Sequence, residues 1–122
     1  MSAAPDTLAD LQAAAIRFRD ERDWAQFHTP KDLALGLTAE AGELAELFLW
    51  QTSSQIETAL RDDPAFRLRL CHELADVQIF LFYLAKAGEL DLAAAVRAKI
   101  SLNAAKYPVE KARGNATKYT EL

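Results

Sequence analysis

Glycine and proline are scarce in this 122-residue chain, four of each, and cysteine occurs once. Cys71 therefore has no internal disulfide partner, and there is no CxxC pair for a metal or redox site. Valine and isoleucine together number seven, against 42 alanines and leucines. So few β-branched residues and turn formers argue against a sandwich, a barrel or an α/β sheet. There is no apolar stretch of about 20 residues to span a bilayer. The best run, Val77 to Ala87, is interrupted by Gln78 and closed by Lys86, Gly88 and Glu89. Residues 1–20 lack a basic segment followed by an apolar one, so no secretory signal is expected. What is present is 51% hydrophobic and 26% charged residues with a net charge of -4. That composition is enough for one modest helical core and excludes a wholly disordered chain. The expectation is a soluble cytoplasmic protein.

Periodicity places helices over about 5–22, 30–50, 64–87 and 91–106. Thr29-Pro30 and Asp63-Pro64 each pair a capping side chain with proline at the first helical position. Gly88 stands at the C′ position of the third helix, and Pro108 follows the fourth. The connector 51–63 has room for one or two helical turns around Ile56, Ala59 and Leu60. Four long helices with short connections imply an all-α, four-helix-bundle-like domain over 1–122, with a basic irregular tail from about 107. From Arg97 to Lys118 there are six basic residues and one acidic, so the rest of the chain carries -9. The tail is either a solvated basic segment or one that helps to hold an anion.

The acidic residues are placed oddly. The second helix has an apolar stripe at Leu33, Leu37, Leu44 and Leu47, and position 40 within it is Glu40. The third has one at Phe66, Leu70, Val77, Phe80 and Leu84, and position 73 within it is Glu73. Each intruding glutamate is followed three residues later by another carboxylate, Glu43 and Asp76, on the same face. Buried carboxylates without partners protonate or find a cation, and four together favour a divalent ion. All-oxygen ligation points to Mg²⁺, with Mn²⁺ as substitute. The bland reading is that these are surface glutamates paired with Lys or Arg.

Competing metal chemistries lack their residues. A di-iron bundle needs Glu-x-x-His, and His72 precedes Glu73 instead of following it by three. His28 lies in a connector, and neither histidine makes an HExxH site. Trp24 and Trp50 flank the acidic second helix; core packing explains either, and so does stacking on a planar ligand.

The run Glu40-Ala-Gly-Glu43-Leu-Ala-Glu46-Leu-Phe-Leu-Trp50, followed by Glu73-Leu-Ala-Asp76-Val77, resembles the ExxE…ExxD signature of the MazG-like nucleotide pyrophosphohydrolases, in particular their dCTP pyrophosphatase branch. The likeness extends colinearly to Glu21-Arg-Asp-Trp24, Gln26-Phe27-His28, Lys99, Asn103, Tyr107-Pro108, Arg113-Gly114 and Lys118-Tyr119. It implies an all-helical protomer that assembles into a dimer or a dimer of dimers. It also implies Mg²⁺-dependent hydrolysis of a nucleoside triphosphate to monophosphate and pyrophosphate, with neither nucleic acid nor membrane as partner. By the family pattern Glu40, Glu43, Glu73 and Asp76 are metal ligands. Trp24, Gln26, Phe27, His28, Trp50 and Phe80 line the nucleotide pocket, and Lys99, Asn103 and Lys106 contact phosphate. Two positions depart from that branch: Ala15 replaces a pocket histidine and Phe80 a tyrosine. The chemistry stands beside the resemblance. A triphosphate reaches an acidic site through metal, and a free carboxylate near the ligands, Glu43 or the neighbouring Glu46, takes the proton of the attacking water. The expected substrate is dCTP or a modified pyrimidine deoxynucleotide. The alternatives are a nucleotide-binding or regulatory module of negligible turnover, and a helical interaction protein.

Overall fold

Side-chain caps open every long helix of the computed structural model, which describes residues 4–122. Thr7 and Asp10 form a reciprocal capping box at the start of α1 (Leu8–Glu21), with hydrogen bonds of 3.0 and 3.1 Å. Thr29 accepts from the Asp32 N–H at the head of α2 (Pro30–Glu46), with Pro30 in the first turn as its sequence predicts. Thr52 and Gln55 box the start of α3 (Ser53–Asp62). Asp63 accepts from the N–H groups of Ala65 and Phe66 to start α4 (Pro64–Ala87). Asp91 does the same for α5 (Leu92–Lys106) through Ala94. Each such cap contributes about 1 kcal/mol by satisfying donors that the helix itself leaves free. One further turn of helix, α6 (Val109–Ala112), and a 3₁₀ turn, Tyr119–Glu121, interrupt the segment read from sequence as irregular.

Three local outcomes differ from the sequence reading. The second helix stops at Glu46, and residues 47–50 form turns instead of carrying it to Trp50. The 51–63 connector is mostly helix, because its capping box starts a ten-residue segment. Gly88 caps α4 with an ordinary right-handed backbone, φ -87°, and the left-handed position falls on Glu89, φ 53°.

The chain divides into two compact units, Met1–Glu89 and Leu90–Leu122. In the first, α4 is the central element, packed chiefly on α2 and also on α1 and α3. Leu33, Phe66, Phe82, Tyr83 and Ala85 are buried hydrophobics. Phe66 is 2% exposed and meets the Phe48 ring edge-on at 6.1 Å. Truncating a buried phenylalanine of this kind costs about 3–5 kcal/mol. The apolar run from Val77 to Ala85 is half-buried or buried throughout. Gly36 lets the Phe80 ring lie against α2, because a Cβ there would collide with the ring edge. Gly42, the other glycine within α2, faces open space. In the second unit, Tyr107 and Tyr119 meet edge-to-face at 5.8 Å, and Lys106 Nζ sits 4.8 Å from the Tyr119 ring centre. Among the described residues no helix is long and apolar enough to cross a membrane.

Candidate metal and nucleotide site

Helices α2 and α4 bring the stripe-breaking carboxylates together. Glu40, Glu73 and Asp76 each offer an oxygen, and the three oxygens lie within 4.8 Å of one another. Glu40 and Glu73 are half-buried, and the Oε2 atom of each is buried with no hydrogen-bond partner. The ion pairs among the described residues join Arg19 to Asp20, Arg22 to Glu21 and Arg61 to Asp62. None reaches the cluster, so pairing with Lys or Arg does not account for these glutamates. Burial, followed by the charge and hydrogen bonding of Glu43 and the charges of Asp76 and Glu73, raises the Glu40 pKa. Acidic oxygens that are converged, partly desolvated and unpartnered fit a hard divalent cation. Glu43 is exposed on the same helix one turn beyond Glu40, and Glu46 is exposed as the last residue of α2.

Beside this cluster a cavity of about 720 Å³ opens between α1, the 24–28 connector and α4, and Asp76 is part of its wall. The lining is mainly apolar, including Leu11, Phe18, Ile79 and Phe80. Trp24 and His28 also line it, as expected from sequence. Trp24 meets Phe18 edge-on at 5.7 Å, and His28 lies 4.9 Å from the Tyr83 ring. Burial, then the positive charge of Arg19, lowers the His28 pKa and favours the neutral ring. The Tyr83 hydroxyl donates to the Ala15 carbonyl at 3.0 Å, and the Gln12 amide to the Phe82 carbonyl at 3.1 Å. These two bonds fasten α1 to α4 and fix the shape of the wall. Burial raises the Tyr83 pKa, so its hydroxyl keeps its proton.

Gln26, Phe27 and Trp50, also expected in the pocket, are not part of this wall. The Gln26 amide turns back on the Asp23 carbonyl and carboxylate, at 3.0 Å each. Phe27 is 64% exposed in the 3₁₀ turn Ala25–Phe27. Trp50 is 90% exposed, because α2 ends four residues before it and the helical face that would have aimed it at the carboxylates is gone. Lys99, Asn103 and Lys106 are exposed on α5 of the second unit. Sequence reasoning missed Tyr83 and Gln78 as cavity residues. Both sit in the continuous apolar run of α4, where periodicity gives no inward face; the one signal was the polar interruption at Gln78.

A family model of MazG-like proteins matches residues 37–122, which contain all four carboxylates. The chain belongs to the MazG-like family. It is 44% identical over 116 residues to the dCTP pyrophosphatase 1 proteins of Rattus norvegicus and Homo sapiens, covering 95% of this chain and 68% of each relative. The crystal structure of a pyrophosphatase from Archaeoglobus fulgidus superposes with a TM-score of 0.75 at 32% identity, over 88% of this chain and 98% of that one. The all-α expectation holds among the described residues, and this likeness agrees with it.

Proposed function

We infer that this chain is a nucleotide pyrophosphohydrolase that cleaves dCTP, or a related pyrimidine deoxynucleoside triphosphate, to the monophosphate and pyrophosphate, using Mg²⁺. The observation that carries the reading is the double membership of Asp76. It belongs both to a carboxylate group that fits a cation and to the wall of a cavity large enough for a base. A triphosphate bridging the two would lay its phosphates over the acids and its base in the cavity. The names of the relatives support the reaction and the choice of dCTP.

Glu40, Glu73 and Asp76, joined by Glu43, would hold Mg²⁺, which supplies charge neutralisation and Lewis-acid polarisation at the phosphoryl oxygens. Glu43 or Glu46 takes the proton from the attacking water as its oxygen bonds to phosphorus and the bridging P–O bond between the α and β phosphates breaks. Trp24 and His28 enclose the base and exclude water from its faces. For Lys99, Asn103 and Lys106 the role implied by the resemblance is phosphate contact, which a rise in KM on alanine substitution would test. The exposed Leu35, Leu49, Leu68 and Leu74 support a homo-oligomer, dimer or dimer of dimers, whose assembly covers them. A cytoplasmic location, where nucleoside triphosphates are made and used, suits this reading.

The test is incubation of the purified protein with each common dNTP and NTP with and without Mg²⁺, with products resolved by chromatography. Pyrophosphate and dCMP, formed only with the metal, are expected. Release of orthophosphate, or no turnover of any nucleotide, overturns the reading.

A further inference from the structure

The polar groups around the cavity fall into two sets. Gln12 and Tyr83 are spent on backbone carbonyls of the opposite helix. Gln78 Nε2 and His28 Nδ1 are buried, and neither has a hydrogen-bond partner. A second hollow of about 350 Å³, along α3 from Ser54 to Asp63, contains no unpartnered buried atom of this kind. Buried amide and imidazole nitrogens normally find partners, since leaving one bare costs its full desolvation. Gln78 is the amide that interrupts the otherwise apolar sequence from Val77 to Leu81.

We propose that Gln78 is a specificity-determining residue, its side-chain N–H donating to a ring-edge acceptor of the substrate's base while His28 Nδ1 meets the adjoining polar group. The proposal rests on the nucleotide reading above and names the residues that read the base. Stacking on Trp24 and the apolar wall accepts any flat ring, so discrimination falls to the edge. A site built to hydrogen-bond a ligand rejects analogues that lack the matching group far better than an apolar slot does. Asp76 lines the same cavity two residues earlier on α4, so one helix carries both the acid beside the phosphates and the amide at the base.

The test compares the parent with Gln78→Leu, in titrations of dCMP and of deoxyribose 5-phosphate followed by calorimetry. The parent should bind dCMP about tenfold or more tightly than the base-free phosphate, and the variant, which keeps the stacking, should shrink that ratio by about threefold or more. With dCTP as substrate, kcat/KM should fall mainly through KM. The apo variant should melt at or above the parent's temperature, because an unsatisfied buried amide has been removed. An unchanged ratio, or a parent that does not distinguish the two phosphates, overturns the proposal. A variant with lowered Tm and equally weakened binding of both ligands also overturns it, since Gln78 would then be structural. A parent that discriminates dCMP in the expected way but hydrolyses no triphosphate sinks the hydrolase reading and leaves this one standing.

Discussion

The carboxylate cluster and the cavity share helix α4 and the side chain of Asp76, yet each is unsatisfied in its own way. At the acidic end the excess is negative charge: Glu40 and Glu73 each bury an oxygen that accepts no hydrogen bond, and the Lys and Arg ion pairs of the described residues lie elsewhere. At the cavity end the deficit is in hydrogen bonds: Gln78 and His28 present bare nitrogens in an apolar wall. The difference teaches what each end waits for. Charge repulsion among the three converged acids is relieved by any hard cation of fitting size, whereas the neutral nitrogens need an edge of matching geometry. On the function proposed above, reactivity would belong to the first end and selectivity to the second.

Neutralising the acidic end should have the largest effect. Glu43→Gln and Asp76→Asn each keep the side-chain shape and remove a charge, and each should lower turnover by about 10³-fold or more, as losses of central electrostatic groups do. Circular dichroism should show the helical content unchanged. Activity within about threefold of the parent, at saturating Mg²⁺, would remove that residue from the metal site.

The two ends were not equally legible in the sequence. Glu40 and Glu73 stood out because a charge inside a four-three apolar stripe has no ordinary reason to be there, and the structure brings both to one point with Asp76. The helices were legible from the caps at Thr29 and Asp63 and from the stripes themselves. The cavity was harder, for two physical reasons. Val77 to Ala85 is apolar but for Gln78 and half-buried or buried on every face, so its sequence cannot say which side chains meet α1. Trp50 is not part of this cavity's wall, because α2 does not run on to residue 50. Turns at 47–50 aim that ring into solvent, and no local signal separates Leu47-Phe48-Leu49 from a continuing helix.

Two glycines on α2 give a second way to separate the ends. Gly36 lies under the Phe80 ring of the cavity wall, and Gly42 sits between Glu40 and Glu43 with open space above it. Gly36→Ala should cost about 1–3 kcal/mol from the forced shift of the ring, partly offset by better helix propensity. Gly42→Ala should stabilise the isolated protomer by up to about 1 kcal/mol. Urea denaturation of both variants checks the pair. Equal shifts of the same sign would show that Phe80 yields freely. A Gly42→Ala variant that loses stability only as the protein concentration rises would show that a second copy covers this point.

Tyr83→Phe removes the hydroxyl that ties the cavity wall to Ala15 while keeping the ring against His28. Its expected cost is about 1 kcal/mol of stability, the net value of one hydrogen bond plus a bare carbonyl. KM for the nucleotide should rise more than kcat falls, since the bond shapes the pocket and touches none of the acids. A fall in kcat at constant KM would place Tyr83 in the chemistry instead.

The smallest effect is also the one that opposes the two ends most directly. The Glu40 pKa is raised above its ordinary 4.5, mainly by burial and then by its acidic neighbours. The folded state therefore holds a proton there that the unfolded chain has already released. That contribution to stability is complete below pH 4.5 and is lost as pH rises through the folded pKa. His28 runs the other way: its pKa lies below 6.5, so its contribution is complete above 6.5 and is lost as pH falls through the folded value. Melting temperatures measured in EDTA across pH 4 to 8 should separate the two groups. Glu40→Gln should melt above the parent at neutral pH, with the gap closing toward acid, and His28→Gln should reduce the parent's loss of stability on acidification. Adding Mg²⁺ should raise the parent's midpoint at pH 8 and have little effect at pH 4, because only the ionised acids bind the cation. Glu40→Gln should lose that Mg²⁺ response, while His28→Gln keeps it. A Mg²⁺ response of equal size in both variants would mean that the cation is not held by the cluster around Glu40.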